Sequence, residues 1–88
     1  MLVLECVPQQ LGKQISEKLE IPVIGIGAGA FCDGQVLVSY DMLGINQMHL
    51  PRFVKDFSKE ADGWLEAVQK FVAEVKSWQF PASEHCYE

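Results

Sequence analysis

Apolar residues come in two patterns along this chain: unbroken runs of a few residues, and single positions three or four apart. Leu2, Val3 and Leu4 run without interruption into Glu5 and Cys6, as expected of a strand covered on both faces. After Pro8, Leu11, Ile15 and Leu19 recur at helical spacing, which predicts a helix that runs out near Glu20. Pro22 disfavours helical geometry at Ile21, and Val23, Ile24, Gly25 and Ile26 then read as a second buried strand. Strand, helix and strand together form a βαβ unit, which implies parallel strands joined by a right-handed crossover.

Gly25, Gly27 and Gly29 follow at alternate positions and mark a rim where the backbone turns tightly or approaches a neighbour closely. Asp33 is placed to cap a helix carrying Val36, Leu37, Tyr40 and Leu43 on one side and stopping at Gly44, although Val36–Val38 also suits a strand. Residues 44–50 read as a loop. Pro51 then suits the first turn of a helix bearing Phe53, Val54 and Phe57. A plainer helix is expected from about Ala61 to Ser77. There Leu65, Val68, Val72 and Val75 keep helical spacing, Glu66 precedes Lys70 by four, and Trp64, Phe71 and Trp78 recur every seven residues as one packing face. Pro81 ends that pattern and a short polar tail follows. With no internal repeat, linker or low-complexity tract, residues 1–88 read as a single unit.

The composition narrows the classes. Of 88 residues, 49% are hydrophobic and 22% charged, the balance of one globular unit. So short a chain buries a smaller share of its surface than a larger domain, and the apolar patches left over predict association with other chains. The net charge is −5 and the seven Lys and Arg are scattered, leaving no basic stripe for a nucleic acid. No apolar stretch approaches the roughly 20 residues that span a bilayer. The apolar N-terminus also lacks the basic flank of a secretory signal, so a cytoplasmic protein without membrane contact is expected. Cys6, Cys32 and Cys86 are odd in number and far apart, as free thiols in a reducing compartment would be.

Candidate chemistry centres on Glu5. A carboxylate at the carboxyl end of a strand in a parallel α/β fold lies where such folds place reactive groups. A carboxylate partly enclosed by apolar side chains titrates closer to neutrality, as a base that removes a proton from carbon requires. The plainer alternative is a strand-end acid that points into water or caps the following helix. The glycine series is G-x-G-x-G. It lacks the third glycine position of a dinucleotide fingerprint, and no Lys-Ser or Lys-Thr follows, so a tight rim turn is preferred over a phosphate cradle. Asp33 and Asp41 are explained as well by a cap and a helix surface position as by a hard cation. His49, His85 and the cysteines show no zinc-ligand spacing. Cys6 has no histidine near it in sequence to activate it as a nucleophile.

Five blocks carry a resemblance: LVLECVP over Leu2–Pro8, IPVIGIGAG over Ile21–Gly29, CDGQVLV over Cys32–Val38, DMLG over Asp41–Gly44 and FPASEH over Phe80–His85. In this order and spacing the chain resembles the C-terminal third of ketopantoate hydroxymethyltransferases. Tyr40, where relatives often carry histidine, and the segment 46–48, which replaces a more glycine-rich stretch, depart from the pattern. The resemblance implies an α/β fold that is a fragment of a (β/α)8 TIM barrel: about the last two βα units, the seventh and eighth strands, plus C-terminal helices. It also implies transfer of a hydroxymethyl group from methylenetetrahydrofolate to 3-methyl-2-oxobutanoate, a 2-oxo acid polarised by Mg²⁺, giving ketopantoate for pantothenate and coenzyme A. By the same resemblance Glu5 is the general base that takes the proton from C3. The family's magnesium-ligating aspartates lie in earlier strands, so the metal ligands are absent from this chain and it is expected to be inactive alone. Because Met1 aligns inside the barrel, the expectation is a truncated, split or excised piece. Its open sheet edges then predict homo-oligomerisation or association with the missing N-terminal part of the barrel. The alternatives from other classes are a non-catalytic oligomeric assembly fragment and a small phosphate-binding protein built on the glycine loop.

Overall fold

In a computed structural model describing residues 1–46 and 48–88, the first apolar run forms strand β1, Leu2–Glu5, and helix α1, Gln9–Lys18, returns the chain to strand β2, Val23–Ile26. The two strands pair in parallel with Leu2 opposite Val23 and Glu5 opposite Ile26, so the expected βαβ unit is present. A third parallel strand, β3, Gly34–Gln35, pairs with β2 through Ile24 and Gly25, giving the order β1-β2-β3.

This third strand occupies part of the segment expected to be a helix starting at Asp33. The reason is local: the Val23 amide donates to the Asp33 carboxylate at 2.8 Å, and the Asp33 amide donates to the Val23 carbonyl at 2.9 Å. Asp33 is thereby tied to the start of β2 and does not cap a helix. The Val36 amide continues the ladder to the Gly25 carbonyl, and only Ser39–Met42 forms a short helix, α2. Of the expected loop 44–50, Gln47 lies outside the described residues.

The apolar residues after Pro51 reach the core without the expected helix. A turn closes from the Val54 amide to the Pro51 carbonyl. Asp56 then accepts from the Ser58 amide and hydroxyl, which starts a separate 3₁₀ turn at Phe57–Glu60. Phe53 and Val54 are still buried, and Phe57 is 0% exposed. Phe57 and Phe80 meet edge to face at 5.4 Å between ring centroids, and Phe57 and Phe71 at 5.6 Å, close to the preferred geometry of aromatic pairs. Leu37, Met42, Ala67 and Val75 pack around them. A smaller cluster of Val23, Ala28 and Cys32, with Leu2, Leu4 and Val7 against it, lies between the sheet and α1.

The third helix, α3, spans Trp64–Lys76 and faces the core through Ala67, Val68, Phe71 and Val75. Of the seven-residue aromatic series only Phe71 shares that face: Trp64 and Trp78 are 68% and 66% exposed. Trp64 opens the helix, whereas Trp78 lies beyond its end with a left-handed φ of 64°. Glu66 and Lys70 form no ion pair among the described residues; α3 is tied down by Glu74, which meets Lys55 at 2.9 Å. The apolar stripe expected of α1 is also displaced, with Leu11 and Leu19 43% and 40% exposed. What α1 buries is Gly12, where a Cβ would run into the Ala28 carbonyl oxygen. All three cysteines are free, Cys6 exposed and Cys32 and Cys86 buried. No helix among the described residues is long and apolar enough to cross a membrane.

Truncating Phe57 to Ala opens a void in the centre of the aromatic cluster and is expected to destabilise the chain by about 3–5 kcal/mol, measured by urea unfolding. Gly12→Ala improves helix propensity by about 1 kcal/mol. The clash meets fixed backbone at Ala28, however, so the net change expected in the same measurement is a loss of about 1–2 kcal/mol.

Candidate active site

Glu5 ends β1 and remains in register with Ile26. Side chains of a strand alternate between faces, and Leu2 and Leu4 pack towards α1, so Glu5 shares the opposite face with Val3, Ile24 and Ile26. Ile26 is covered by the aromatic cluster, but Val3 is half exposed and Glu5 is exposed. The apolar enclosure expected around the acid is therefore not supplied by this chain, and among the described residues Glu5 has no ion-pair partner. Immediately after it, the Cys6 amide donates to the Ile26 carbonyl at 2.9 Å, and Cys6 turns with φ at 54°. A non-glycine residue in that region costs roughly 1 kcal/mol or more and persists only where its surroundings impose it. Cys6 itself is exposed and makes no hydrogen bond through its thiol among the described residues.

The glycine segment faces this turn. Gly29 has φ at 84°, and a Cβ on it would come within 2.5 Å of the Gln9 Cβ. Glycine is thus needed both for the turn and for the approach of the rim to the start of α1. Gln35 donates from Nε2 to the Gly29 carbonyl at 2.8 Å. The chain passes from here into β3 and not into a helix, so the helix N-terminus on which a phosphate cradle depends does not follow the glycines.

The other sequence candidates do not join Glu5. Asp33 is committed to the Val23 amide, Asp41 accepts from Asn46 Nδ2 at 2.9 Å, and His49 is exposed. Among the described residues no group of three His, Cys, Asp or Glu side chains is disposed to hold a metal ion.

The segment after Pro81, expected to be a polar tail, is part of the site's frame. It forms a 3₁₀ turn at Ser83–His85 and runs on to pair Tyr87 with Pro8 in a parallel bridge, where the Tyr87 carbonyl accepts from the Gln9 amide at 2.8 Å. Arg52 donates to the Cys86 carbonyl at 3.4 Å and lies over the Tyr87 ring at 5.5 Å. Cys86 is buried, its thiol donating to the Ala82 carbonyl at 3.2 Å, and burial pushes that thiol's pKa upward. Burial of Phe80 and Cys86 follows from their apolar character, whereas pairing of Tyr87 with Pro8 leaves no mark on local sequence pattern.

A cleft of about 450 Å³ opens on a different part of the surface, lined by Lys55, Glu60, Glu74, Glu84 and His85 among others. Glu5 is not in its wall. Its one lysine is already occupied, donating to both Glu74 oxygens at 2.9 and 3.1 Å with Glu60 at 3.7 Å. Burial pushes the Lys55 pKa down, but the hydrogen bond and charge of Glu74, joined by Glu60, outweigh it and hold the ammonium above its ordinary 10.5.

Parallel strands joined by a helix, with a carboxylate at the carboxyl end of one strand and close-packed glycines at the end of the next, define a parallel α/β protein. The chain is a member of the ketopantoate hydroxymethyltransferase family, whose model matches residues 1–83. It is 53% identical over 87 residues to a 3-methyl-2-oxobutanoate hydroxymethyltransferase of Vesicomyosocius okutanii, covering 99% of this chain and 34% of the relative. Proteins of the same name from Idiomarina loihiensis and Nitrosomonas eutropha are 52% and 55% identical, over 100% and 99% of this chain and 33% and 32% of their own lengths. The chain thus spans about a third of the length of the curated relatives it matches.

Replacing Lys55 by Met leaves the largely covered Glu74 carboxylate without its partner. A loss of about 1–2 kcal/mol is expected, since the Lys55 and Glu74 side chains are 26% and 17% exposed. Because folding raises the Lys55 pKa above 10.5, its contribution is full below that pH and fades as pH rises through the folded-state value. Urea unfolding at pH 8 and at pH 11 checks both parts: the gap between Lys55→Met and the unsubstituted chain is expected to narrow at the higher pH.

Proposed function

We propose that this chain provides the seventh and eighth strands of a (β/α)8 barrel in a 3-methyl-2-oxobutanoate hydroxymethyltransferase, and that Glu5 is its general base. The observation that carries the reading is the position of Glu5: last residue of a parallel strand, its own side chain exposed on the sheet face away from α1, in a family whose named relatives transfer hydroxymethyl groups. In a closed barrel that face is the interior, and the carboxyl ends of the strands form the mouth where substrate binds.

In this role the Glu5 carboxylate takes the proton from C3 of 3-methyl-2-oxobutanoate, and the carbon nucleophile so formed bonds to the formaldehyde-level carbon that methylenetetrahydrofolate yields on hydrolysis: one water supplies the hydroxyl oxygen, both folate C–N bonds break so that tetrahydrofolate leaves, and the proton taken from C3 returns to the product hydroxyl. The remaining two thirds of the barrel would enclose Glu5 with apolar side chains, which strengthens a carboxylate as a base. It would also contribute the ligands for the magnesium ion that the resemblance implies, since by that resemblance the ligating aspartates lie in earlier strands. The partner is accordingly a second barrel piece or further copies of the chain, meeting it along the open edge of β1. The free cysteines suit the cytoplasm, where ketopantoate synthesis is placed by this reading.

The test combines the chain with a separately produced N-terminal barrel fragment and follows ketopantoate formation. No turnover is expected from the chain alone. In the complemented enzyme Glu5→Gln is expected to lower turnover about 10²–10⁴-fold, the usual contribution of a positioned base. Undiminished turnover by that variant rules out Glu5 as the base.

A further inference from the structure

Two backbone anchors hold the loop that follows Glu5. At its start the Cys6 amide donates to the Ile26 carbonyl at 2.9 Å; at its end the Gln9 amide donates to the Tyr87 carbonyl at 2.8 Å. The first anchor belongs to the sheet. The second depends on the far end of the chain, 78 positions away in sequence, and therefore on whatever fixes Tyr87.

Tyr87 is fixed by a compact set of contacts centred on Ala82. The Ala82 amide donates to His85 Nδ1 at 3.0 Å, and its carbonyl accepts from the His85 amide at 2.9 Å and from the Cys86 thiol at 3.2 Å. The His85 ring packs on Phe80 with centroids 5.0 Å apart, which ties this small knot to the aromatic core. Arg52 donates to the Cys86 carbonyl and lies over the Tyr87 ring. Nδ1 accepts only when the ring is neutral with its proton on Nε2; an imidazolium has two donors and no acceptor.

We propose that residues 82–87 form a strap whose seating positions the Glu5 loop, and that the neutral imidazole of His85 is what keeps the strap seated. The proposal rests on the reading of Glu5 as the base, and it makes His85 and Tyr87 positioning residues for that base. The groups facing His85 are Glu84 on its own turn, Lys55 on the preceding loop and Glu74 on α3, with Glu60 on the far side of Lys55. Burial and, more weakly, Lys55 favour the neutral ring; Glu84 and Glu74 favour the charged one. Burial prevails, so the His85 pKa lies below its ordinary 6.5. A histidine held neutral in this way gives its full stabilisation above pH 6.5. That stabilisation is lost as pH falls from there through the folded-state value, because the unfolded chain takes up the proton first. The strap is thus seated at neutral pH and released in acid.

The experiment is amide exchange of the 88-residue chain by NMR between pH 5 and pH 7.5, expressed as protection relative to the unstructured amide at each pH. It compares the Gln9 amide with the amide of the fully buried Ala67, which donates to the Gly63 carbonyl in the first turn of α3. Gln9 protection is expected to fall about fivefold or more on acidification while Ala67 keeps its protection. His85→Phe, which retains a ring against Phe80 but has no acceptor, is expected to show low Gln9 protection throughout the range. His85→Asn places an uncharged acceptor near the position of Nδ1 and is expected to restore protection and abolish its pH dependence. The exposed Cys6 thiol gives a second readout: at pH 7.5 iodoacetamide is expected to alkylate it several-fold faster in His85→Phe than in His85→Asn.

Unchanged Gln9 protection in His85→Phe overturns the proposal, as does the same acid dependence in His85→Asn. So does equal loss at Gln9 and Ala67, since the strap would then report only global unfolding. Glu5→Gln is expected to leave Gln9 protection intact. The strap can therefore fail while Glu5 stands as the base, and the base assignment can fail while the strap stands.

Discussion

The tightest constraint in the molecule is the approach of α1 to the rim loop between β2 and β3. Gly12 lies against the Ala28 carbonyl and Gly29 lies against Gln9, with no room for a side chain at either glycine. What a Cβ there would meet is backbone at Ala28 and the Cβ and Cα of Gln9, atoms that no change of rotamer moves. These contacts fix where α1 begins, and through it the length of the turn that carries the chain away from Glu5. The small cluster of Val23, Ala28 and Cys32 fills what remains between helix and sheet.

The second half of the chain is organised on different terms. Three phenylalanine rings from three separate segments meet edge to face, and Lys55 clips the 3₁₀ turn to α3 through Glu60 and Glu74. The two halves touch where Phe53 covers Gly27, at a place where a Cβ would be 2.9 Å from the ring. A chain of this size can build one good aromatic cluster and one thin layer under a helix, and here the thin layer carries the candidate base. The weaker layer is therefore the one buttressed from outside, by the return of the C-terminal segment to Pro8 and Gln9.

The βαβ unit was legible because its strands are unbroken apolar runs and its helix is bounded by prolines. The last helix was legible from its spacing, and Glu5 stood out as the one charge at the end of an apolar strand. What the residues did not disclose was settled by side-chain bonds to backbone. Asp33 looks like a cap, but its carboxylate finds the Val23 amide across the sheet and converts a helix start into a strand. Asp56 interrupts the apolar stretch after Pro51 by bonding forward to Ser58. Trp64 and Trp78 follow a heptad in sequence, but one sits at the first residue of α3 and the other past its last, so period alone could not place both inside. The pairing of Tyr87 with Pro8 joins the two ends of the chain, and no local window contains it.

The register of β1 on β2 makes the direction of the candidate base a matter of parity. Glu5 faces away from α1 because it stands an odd number of residues from Leu2 and Leu4, whose neighbours on β2 are Val23 and Gly25. Loss or gain of one residue between Leu2 and Glu5 would send the carboxylate to the opposite face, under α1, while a change of two would restore the face but move the acid by about 6.6 Å along the strand. Length variation in this strand is therefore not a graded adjustment of the site. Lineages that retain the acid can vary side chains along β1, but its residue count behaves as an all-or-none character.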